Sequence, residues 1–466
     1  MNNANVLKLI RFTTAAIFLA AVFLVSFLVR NVSAEDTEEI CREYEGMEFV
    51  RKGEEFCVKY KDKVIFSPEE GVRTQDFLLC DIDSDGNSEL LILCLKEGRF
   101  GKHRPFWIKE NDSEVSQHIF IYEIEKGRIS AKWMSSDIGF YVSKWDYFGN
   151  VLSLSDENNE ESYWQWRTWG LDKTDDIVTL MFVGDNIIHR PIYEYAAEQD
   201  MNFDFAYNGI SKYIRKMNAA VFVSETPLVD KSEAYGDFPS FGTPCEISRS
   251  MRRAGFDVAA CATNHILDRG AYGLDCTLES YAKEGITTVG IDDKYTIRKI
   301  KGLNIAFLDY TSIINTTDKA WENIGRVNFL GDEEKVRKTI REAKRDSDFV
   351  IMIVHWGTEY SRDVDEQQEK WANVFLEEGV DVCIGSHPHV TQKSEVLYGK
   401  NHEMPIFYSL GNFYSAQNKE GTDRGKAVYL AIGKEYGKAV LKVYKEYDVG
   451  TIKKAGKYCA SISVGK

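Results

Sequence analysis

The chain has nine cysteines but no Cys-x-x-Cys pair, which argues against a zinc ribbon. It has no basic excess: 58 Lys and Arg stand against 73 Asp and Glu, a net charge of -15. A nucleic-acid binder would show a basic stripe, so nucleic acid is not an expected partner. Any anionic substrate must be attracted locally, by metal ions or a few basic residues, because the whole-protein field repels it. There is no internal repeat and no low-complexity linker. Histidine is scarce, with eight in 466 residues.

Five of those histidines sit where expected strands end. The segments are LMFVGDNIIH (Asp185, His189), VFVSETPL (Glu225), AACATNHILDRG (Asn264, His265, Asp268), IMIVHWGTEY (His355) and CIGSHPHV (His387, His389). Each is an apolar, β-branched run that breaks at polar residues. In α/β folds, ligands collect at the carboxyl ends of strands. One histidine after a strand is usually a structural residue satisfied by its neighbours, but five in the same topological position are not independent. His, Asp, Glu and Asn together describe a metal site of mixed N/O character. Such a set suits Mn, Fe or Zn, singly or as a pair.

At 466 residues, two domains are the default expectation. Residues 1–34 form a targeting segment: Lys8 and Arg11 precede an apolar run over 12–29, closed by Arg30. Its 18 residues are just enough to span a bilayer, which favours a signal anchor. Val32-Ser33-Ala34 also gives a cleavage pattern, so a cleaved secretory peptide competes. Either way the remainder is expected outside the cytoplasmic membrane, attached by a single N-terminal pass or secreted. No Cys follows a small residue near the end of the run, so a lipoprotein signal is absent. An extracytoplasmic location permits disulfides, and proximity in sequence suggests Cys41–Cys57 and Cys80–Cys94. Cys261 and Cys383 lie inside apolar strand patterns, as buried small residues do.

Residues 35–175 read as a β-rich unit, dense in tryptophan, with no cluster of histidines and no acid/base pair. It contains DIDSDGNSEL, in which Asp81, Asp83 and Asp85 ring a tight loop as calcium ligands do. The twelfth position of an EF-hand loop, a Glu in that motif, is Ile92 here, and strands flank the loop. The spacing resembles the DxDxDG loops of integrin-like and propeller repeats. Calcium binding and a plain acidic turn both remain open. After DKTDD at 172–176 the pattern changes, over 176–466, to alternating strands and helices. Strands are expected at 177–183, 219–224, 256–262, 286–290, 304–310, 348–354, 380–385 and 405–409. Helices are expected near 208–217, 245–254, 271–284, 332–346 and 365–378. That is an α/β layered domain, closed by a β-hairpin.

FVGDN, VSETPL, ATNHILDRGAYGLDCTL, VHWGTEYS, GSHPHVTQ and IFYSLGNF, in this order, resemble the CapA family of bacterial capsule and poly-γ-glutamate synthesis proteins, over about 177–415. The resemblance implies a calcineurin-like metallophosphatase fold, a layered β-sandwich flanked by helices with its site at the strand ends. It implies Asp185, Glu225, Asn264, His355, His387 and His389 as metal ligands, with Asp185 or Glu225 bridging a dinuclear centre. Ser224 stands where the family has Asn, Thr263 replaces the first Asn of its N-N-H motif, and His189 stands where it often has Arg or another residue. His265 is expected as general acid, with Asp268 either orienting it or capping the next helix. Asn412, Trp356 and Tyr360 are expected to line the substrate pocket, although Trp356 and Tyr360 could merely pack. The implied partners are an anionic polymer such as poly-γ-glutamate or capsule material, the membrane, and other capsule-synthesis subunits. The leading reading is an extracytoplasmic, membrane-anchored capsule or poly-γ-glutamate biosynthesis or export protein with a metallophosphatase-like site; its alternatives are a metal-dependent phosphoesterase acting on a cell-envelope phosphate ester and a non-catalytic polymer-binding assembly component. A further possibility makes the N-terminal unit a cell-wall or partner-binding module built on exposed aromatics.

Overall fold

The structure is a computed structural model that describes residues 39–463, except 101–105, 107, 110–111, 126, 149–150, 159, 175–176, 316–319, 321, 401, 436 and 455. The apolar run at 12–29 therefore lies outside the described residues, among which no helix is long and apolar enough to cross a membrane. The chain divides into two compact units, Met1–Asp175 and Asp176–Lys466.

The first unit is three successive antiparallel sheets of four strands, a structural repeat that the sequence does not display. The middle sheet is covered on both faces. Along Glu89–Glu97, Leu90, Ile92 and Cys94 pack toward the first sheet, while Leu91 and Leu93 pack toward the third. Alternate residues of a strand point to opposite faces, so a strand buried on both sides reads as the unbroken apolar run LLILCL. Trp133, Trp145, Trp164 and Trp166 pack against the second of these cores. The exposed aromatics among the described residues of this unit are Phe106, Tyr141 and Trp169.

All nine cysteines are free, and the ladder excludes both expected pairs. Cys41 and Cys57 both face Val50, one strand to either side. That separates them by roughly 10 Å, beyond disulfide reach. Cys80 faces Glu89 and Cys94 faces Thr74, near opposite ends of one ladder.

The second unit holds strands β1 (Val178–Asn186), β2 (Ala219–Ser224), β3 (Val258–Ala260), β4 (Thr287–Val289), β5 (Thr296–Ile300), β6 (Leu303–Thr311), β7 (Phe349–His355), β8 (Val382–Ser386), β9 (Ser394–Tyr398) and β10 (Glu403–Phe407). They are followed by β11 (Asn412–Tyr414), β12 (Arg424–Glu435), β13 (Lys438–Lys454) and β14 (Lys457–Ser463). One sheet runs β4-β3-β2-β1-β12-β13-β14, with β11 also paired to β1; the other runs β5-β6-β7-β8-β10-β9. Strands β1 to β4 are mutually parallel, as are β6, β7, β8 and β10.

The two sheets pack face to face. Leu180, Phe182, Val221 and Val223 from one share a core with Ile305, Phe307, Ile351, Ile353 and Ile384 from the other. The outer face of the second sheet (Leu308, Val350, Met352, Val354) is covered by Val336 and Ile340 of a helix at Glu333–Asp346 and by Trp371 and Phe375 of one at Glu366–Glu377. The latter begins with a capping box, Asp365 with Gln368, which fixes where the chain enters it. On the other outer face, Phe222 meets Phe256 and Tyr281. The result is a β-sandwich with helices on both outer faces. Its parallel strands all present their carboxyl ends at one edge.

Candidate metal centre

The edge residues converge. Asp185 ends β1, Glu225 follows β2, Asn264 and His265 follow β3, His355 ends β7, and His387 and His389 follow β8. Gly184 makes the first of these possible: a Cβ there would lie 1.9 Å from the Gly411 carbonyl oxygen. That carbonyl accepts from the Asp185 amide at 3.1 Å, and the β1 register shifts between Val183 and Asp185. The shift turns the Asp185 side chain toward the second sheet, as a bulge re-aims a residue. His387 and His389 both have left-handed backbones, φ 100° and 61°. Such strain persists only where surrounding contacts hold it, and it concentrates at functional turns.

Two donor groups result, both buried. In one, His355 Nε2 lies 2.9 Å from Asn264 Oδ1 and 3.1 Å from His387 Nδ1. In the other, His389 Nδ1 is 3.3 Å from Asp185 Oδ2, and its Nε2 is 3.5 Å from Glu225 Oε1. His355 Nδ1 lies 3.8 Å from Asp185 Oδ1, joining the groups. Ligand atoms that share an ion at about 2.1 Å stand roughly 3 Å apart, so these spacings fit a metal. Asp185 Oδ1 and Glu225 Oε2 are buried with no hydrogen-bond partner. Buried carboxylate oxygens are rarely left bare, so this pair fits a cation-binding site.

The electrostatics agree. Burial, reinforced by neighbouring histidines, holds His355 and His387 well below the ordinary imidazole pKa, His387 at about 3. They are neutral, the ligand form. Burial also pulls His389 down, but Glu225 and Asp185 outweigh it and push its pKa up to about 9. Burial raises Glu225 well above the carboxylate range, opposed by His389.

Around these donors lies a set of orienting contacts. Ser386 Oγ meets His355 Nδ1 at 2.9 Å, which leaves Nε2 for the cluster. Asn412 Oδ1 lies 3.1 Å from His389 Nδ1, and Asn412 Nδ2 donates to Ser415, Gln417 and Thr422. Asn412 is therefore an internal clamp rather than a substrate contact. Trp356 is also not at the pocket: its indole donates to the Tyr408 carbonyl and its ring lies in the core against Phe375 and Tyr408. Tyr360 does stand beside the site, its ring 5.7 Å from that of His389. Ser224, at the family's Asn position, faces away and bonds Tyr281.

His265 is buried next to the donors. Its Nδ1 lies 2.7 Å from Asp268 Oδ2, which also accepts from the Phe241 amide at 2.7 Å. Asp268 orients His265 and does not cap the following helix, whose N-cap is Arg269. Asn315 Nδ2 lies 3.0 Å from His265 Nδ1, and the Phe241 ring packs edge-on against the imidazole. No sequence motif marks Asn315 or Phe241. His189 stays outside the donor set: its Nδ1 accepts from the Ala416 amide and its ring packs on Phe241.

In the first unit, Asp81, Asp83 and Glu89 bring carboxylate oxygens within 4.8 Å of one another. Asp85 instead accepts from Asn87 in its own turn. The Lys132 ammonium lies 2.6 Å from Asp83 and 2.9 Å from Glu89, an internal cation on the same oxygens. Calcium must compete with it. Lys132→Ala should therefore raise the melting temperature gained from millimolar calcium above that of the parent chain. No calcium response in either protein would leave a lysine-neutralised turn.

The chain is similar to several known proteins. PGA biosynthesis protein CapA of Bacillus subtilis is 30% identical over 249 residues, 52% of this chain and 64% of its own length. Capsule biosynthesis protein CapA of Bacillus anthracis is 25% identical over 279 residues, 57% of this chain and 66% of its own length. The chain thus matches a little under two thirds of either relative. Among solved structures, calcineurin-like phosphoesterase YfkN from Bacillus subtilis is similar at 14% identity and TM-score 0.36, over 59% of this chain and 90% of that one. A putative 5'-nucleotidase from Staphylococcus aureus is similar at 14% and 0.37, over 58% of this chain and 54% of that one. The family described as bacterial capsule synthesis protein PGA_cap matches residues 179–417, a little over half of the chain and every donor above, and to that family the chain belongs.

Proposed function

We propose that the second unit is a metal-dependent phosphoesterase centre. In this reading the protein serves capsule or poly-γ-glutamate synthesis outside the cytoplasmic membrane, held there by the segment at 12–29. Relatives named for PGA and capsule biosynthesis support the setting. One observation carries the chemistry: two buried carboxylate oxygens without partners, among imidazoles that burial keeps neutral. Asp185, Glu225 and His389 would hold one ion, and Asn264, His355 and His387 a second. Bound there, divalent Mn, Fe or Zn would supply Lewis-acid polarisation of a phosphate oxygen and a water acidic enough to attack at neutral pH.

The remaining work falls to the chain. Asp268 holds His265 through Nδ1, leaving Nε2 to carry a proton to the leaving oxygen. The Phe241 ring packs edge-on against that imidazole and helps hold it in place. Elemental analysis of the purified chain, followed by hydrolysis of a chromogenic phosphodiester, tests the reading. Metal should be found and turnover should follow it. His387→Ala should lose most of the metal, and turnover with it. Metal without turnover on any phosphate ester would leave the polymer-binding reading; neither would sink both.

A further inference from the structure

From the loops that frame the metal centre we infer that Lys419 and Arg362 form an oxyanion-binding subsite at its mouth. The subsite receives the neighbouring carboxylate or phosphate of a polyanionic substrate, and so it rests on the reading above. Tyr360 is the floor. Its backbone is left-handed, φ 67°, and its amide donates to the Pro388 carbonyl at 2.7 Å, inside the His387-Pro388-His389 turn. One face of the floor is thereby fixed to a metal-ligand turn. The Lys419 ammonium sits 3.4 Å from the Tyr360 ring centroid, so one aromatic ring separates it from His389.

The loops on both sides are held before any ligand arrives. The Asn412 amide that orients His389 also donates to Ser415, Gln417 and Thr422, and Thr422 returns its hydroxyl to the Lys419 carbonyl at 2.7 Å. The same residue that sets the ligand therefore sets the loop carrying the ammonium. Arg362 lies against Gly421 of that loop, where a side chain would collide with the guanidinium. Gln392 holds the Arg362 loop from below through the carbonyls of Ser361 and Asp363. Among the described residues neither cation has a carboxylate partner, in a chain of net charge -15. Both cations are exposed, and they offset the Glu359 carboxylate that bonds Tyr360 and acts on His389; cations beside a reaction centre supply the local attraction that an acidic protein otherwise denies a polyanion.

The test measures binding, so it does not depend on turnover. The metal-loaded full chain is titrated with a γ-linked glutamate oligomer in one arm and inorganic triphosphate in the other, at several salt concentrations. Lys419→Glu combined with Arg362→Glu should weaken binding by about tenfold or more and flatten its salt dependence, with metal content unchanged. Lys338→Glu, on an exposed helix face, makes the same kind of charge change elsewhere and should do much less. Weakening in the glutamate arm identifies carboxylates as the ligand, and weakening in the triphosphate arm identifies phosphates. If the paired variant matches Lys338→Glu in both arms, or if it loses its metal, the subsite is refuted. Absence of hydrolysis in every protein would instead refute only the catalytic reading.

Discussion

His265→Ala should lower turnover of an alkyl phosphodiester by about a thousandfold, within the range general-acid catalysis supplies, and leave metal content unchanged. The donors explain the second half. Asn264 Oδ1 meets His355, not His265, so removing the imidazole strips no ligand atom from either donor group. The first half follows from the proton that His265 can hold at Nε2 while Asp268 grips Nδ1 at 2.7 Å. An alkoxide leaves poorly without that proton, whereas a nitrophenolate leaves without help. The same variant should therefore lose less than about tenfold on a p-nitrophenyl ester, because proton transfer is no longer part of the barrier. Asp268→Asn should show the same leaving-group dependence more weakly, since Phe241 and Asn315 still frame the ring. Equal losses on both esters would mean that His265 acts by shaping the site, and loss of metal would make it a ligand in effect.

The parts of this site that could be read from the sequence are those that repeat a position. Parallel strands bring their carboxyl ends together, so Asp185, Glu225, Asn264, His355, His387 and His389 announce themselves as one set at strand ends. The central strands were equally legible, because burial on both faces demands continuous runs such as IMIV. Edge strands were not. β5, sequence TIRKI, and β9, SEVLY, carry charge on an exposed face and read as loops. The helix Arg190–Ala197 went unread behind Pro191, although proline at the start of a helix costs nothing. Residues that act through one distant partner left no pattern: Ser386 on His355 and Asn315 on His265. Trp356 and Asn412 misled for a related reason. Their motifs sit next to the site, but side-chain direction is decided by Tyr408 in one case and by His389 in the other. The cysteine pairs failed because nearness in sequence is not nearness across a ladder.

Asp309 is the most consequential of the residues without a motif, and its replacement by alanine should cost about 3 kcal/mol of stability. It stands on β6, fully buried, and its Oδ2 accepts from the Ala262 amide at 2.8 Å. That amide is where β3 leaves its own sheet: Cys261 still bonds Val289 of β4, and the next acceptor comes from the opposite sheet. Gly290 keeps the space open, since a Cβ there would lie 2.3 Å from Asp309 Oδ2. The carboxylate therefore ties the two halves of the sandwich together two residues before Asn264. Alanine would leave a buried amide without an acceptor and free the turn that aims Asn264 and His265, so turnover should fall along with the melting temperature. Asparagine keeps an acceptor oxygen and should recover most of both. Burial raises the Asp309 pKa well above the usual carboxylate value, against the pull of the Ala262 and Cys261 amides. A raised folded-state pKa means that the native chain holds the proton more tightly than the unfolded one. The stability this adds is full below the unfolded value of about 4 and is lost as pH rises toward the folded one. Asparagine has no such proton, so the stability gap between parent and Asp309→Asn should shift in favour of asparagine as pH climbs from about 4 to 7. Urea melts of the parent, Asp309→Ala and Asp309→Asn across that range would decide it. A pH-independent gap would mean that Asp309 keeps an ordinary pKa, and an alanine variant as stable as the parent would remove it from the architecture of the site.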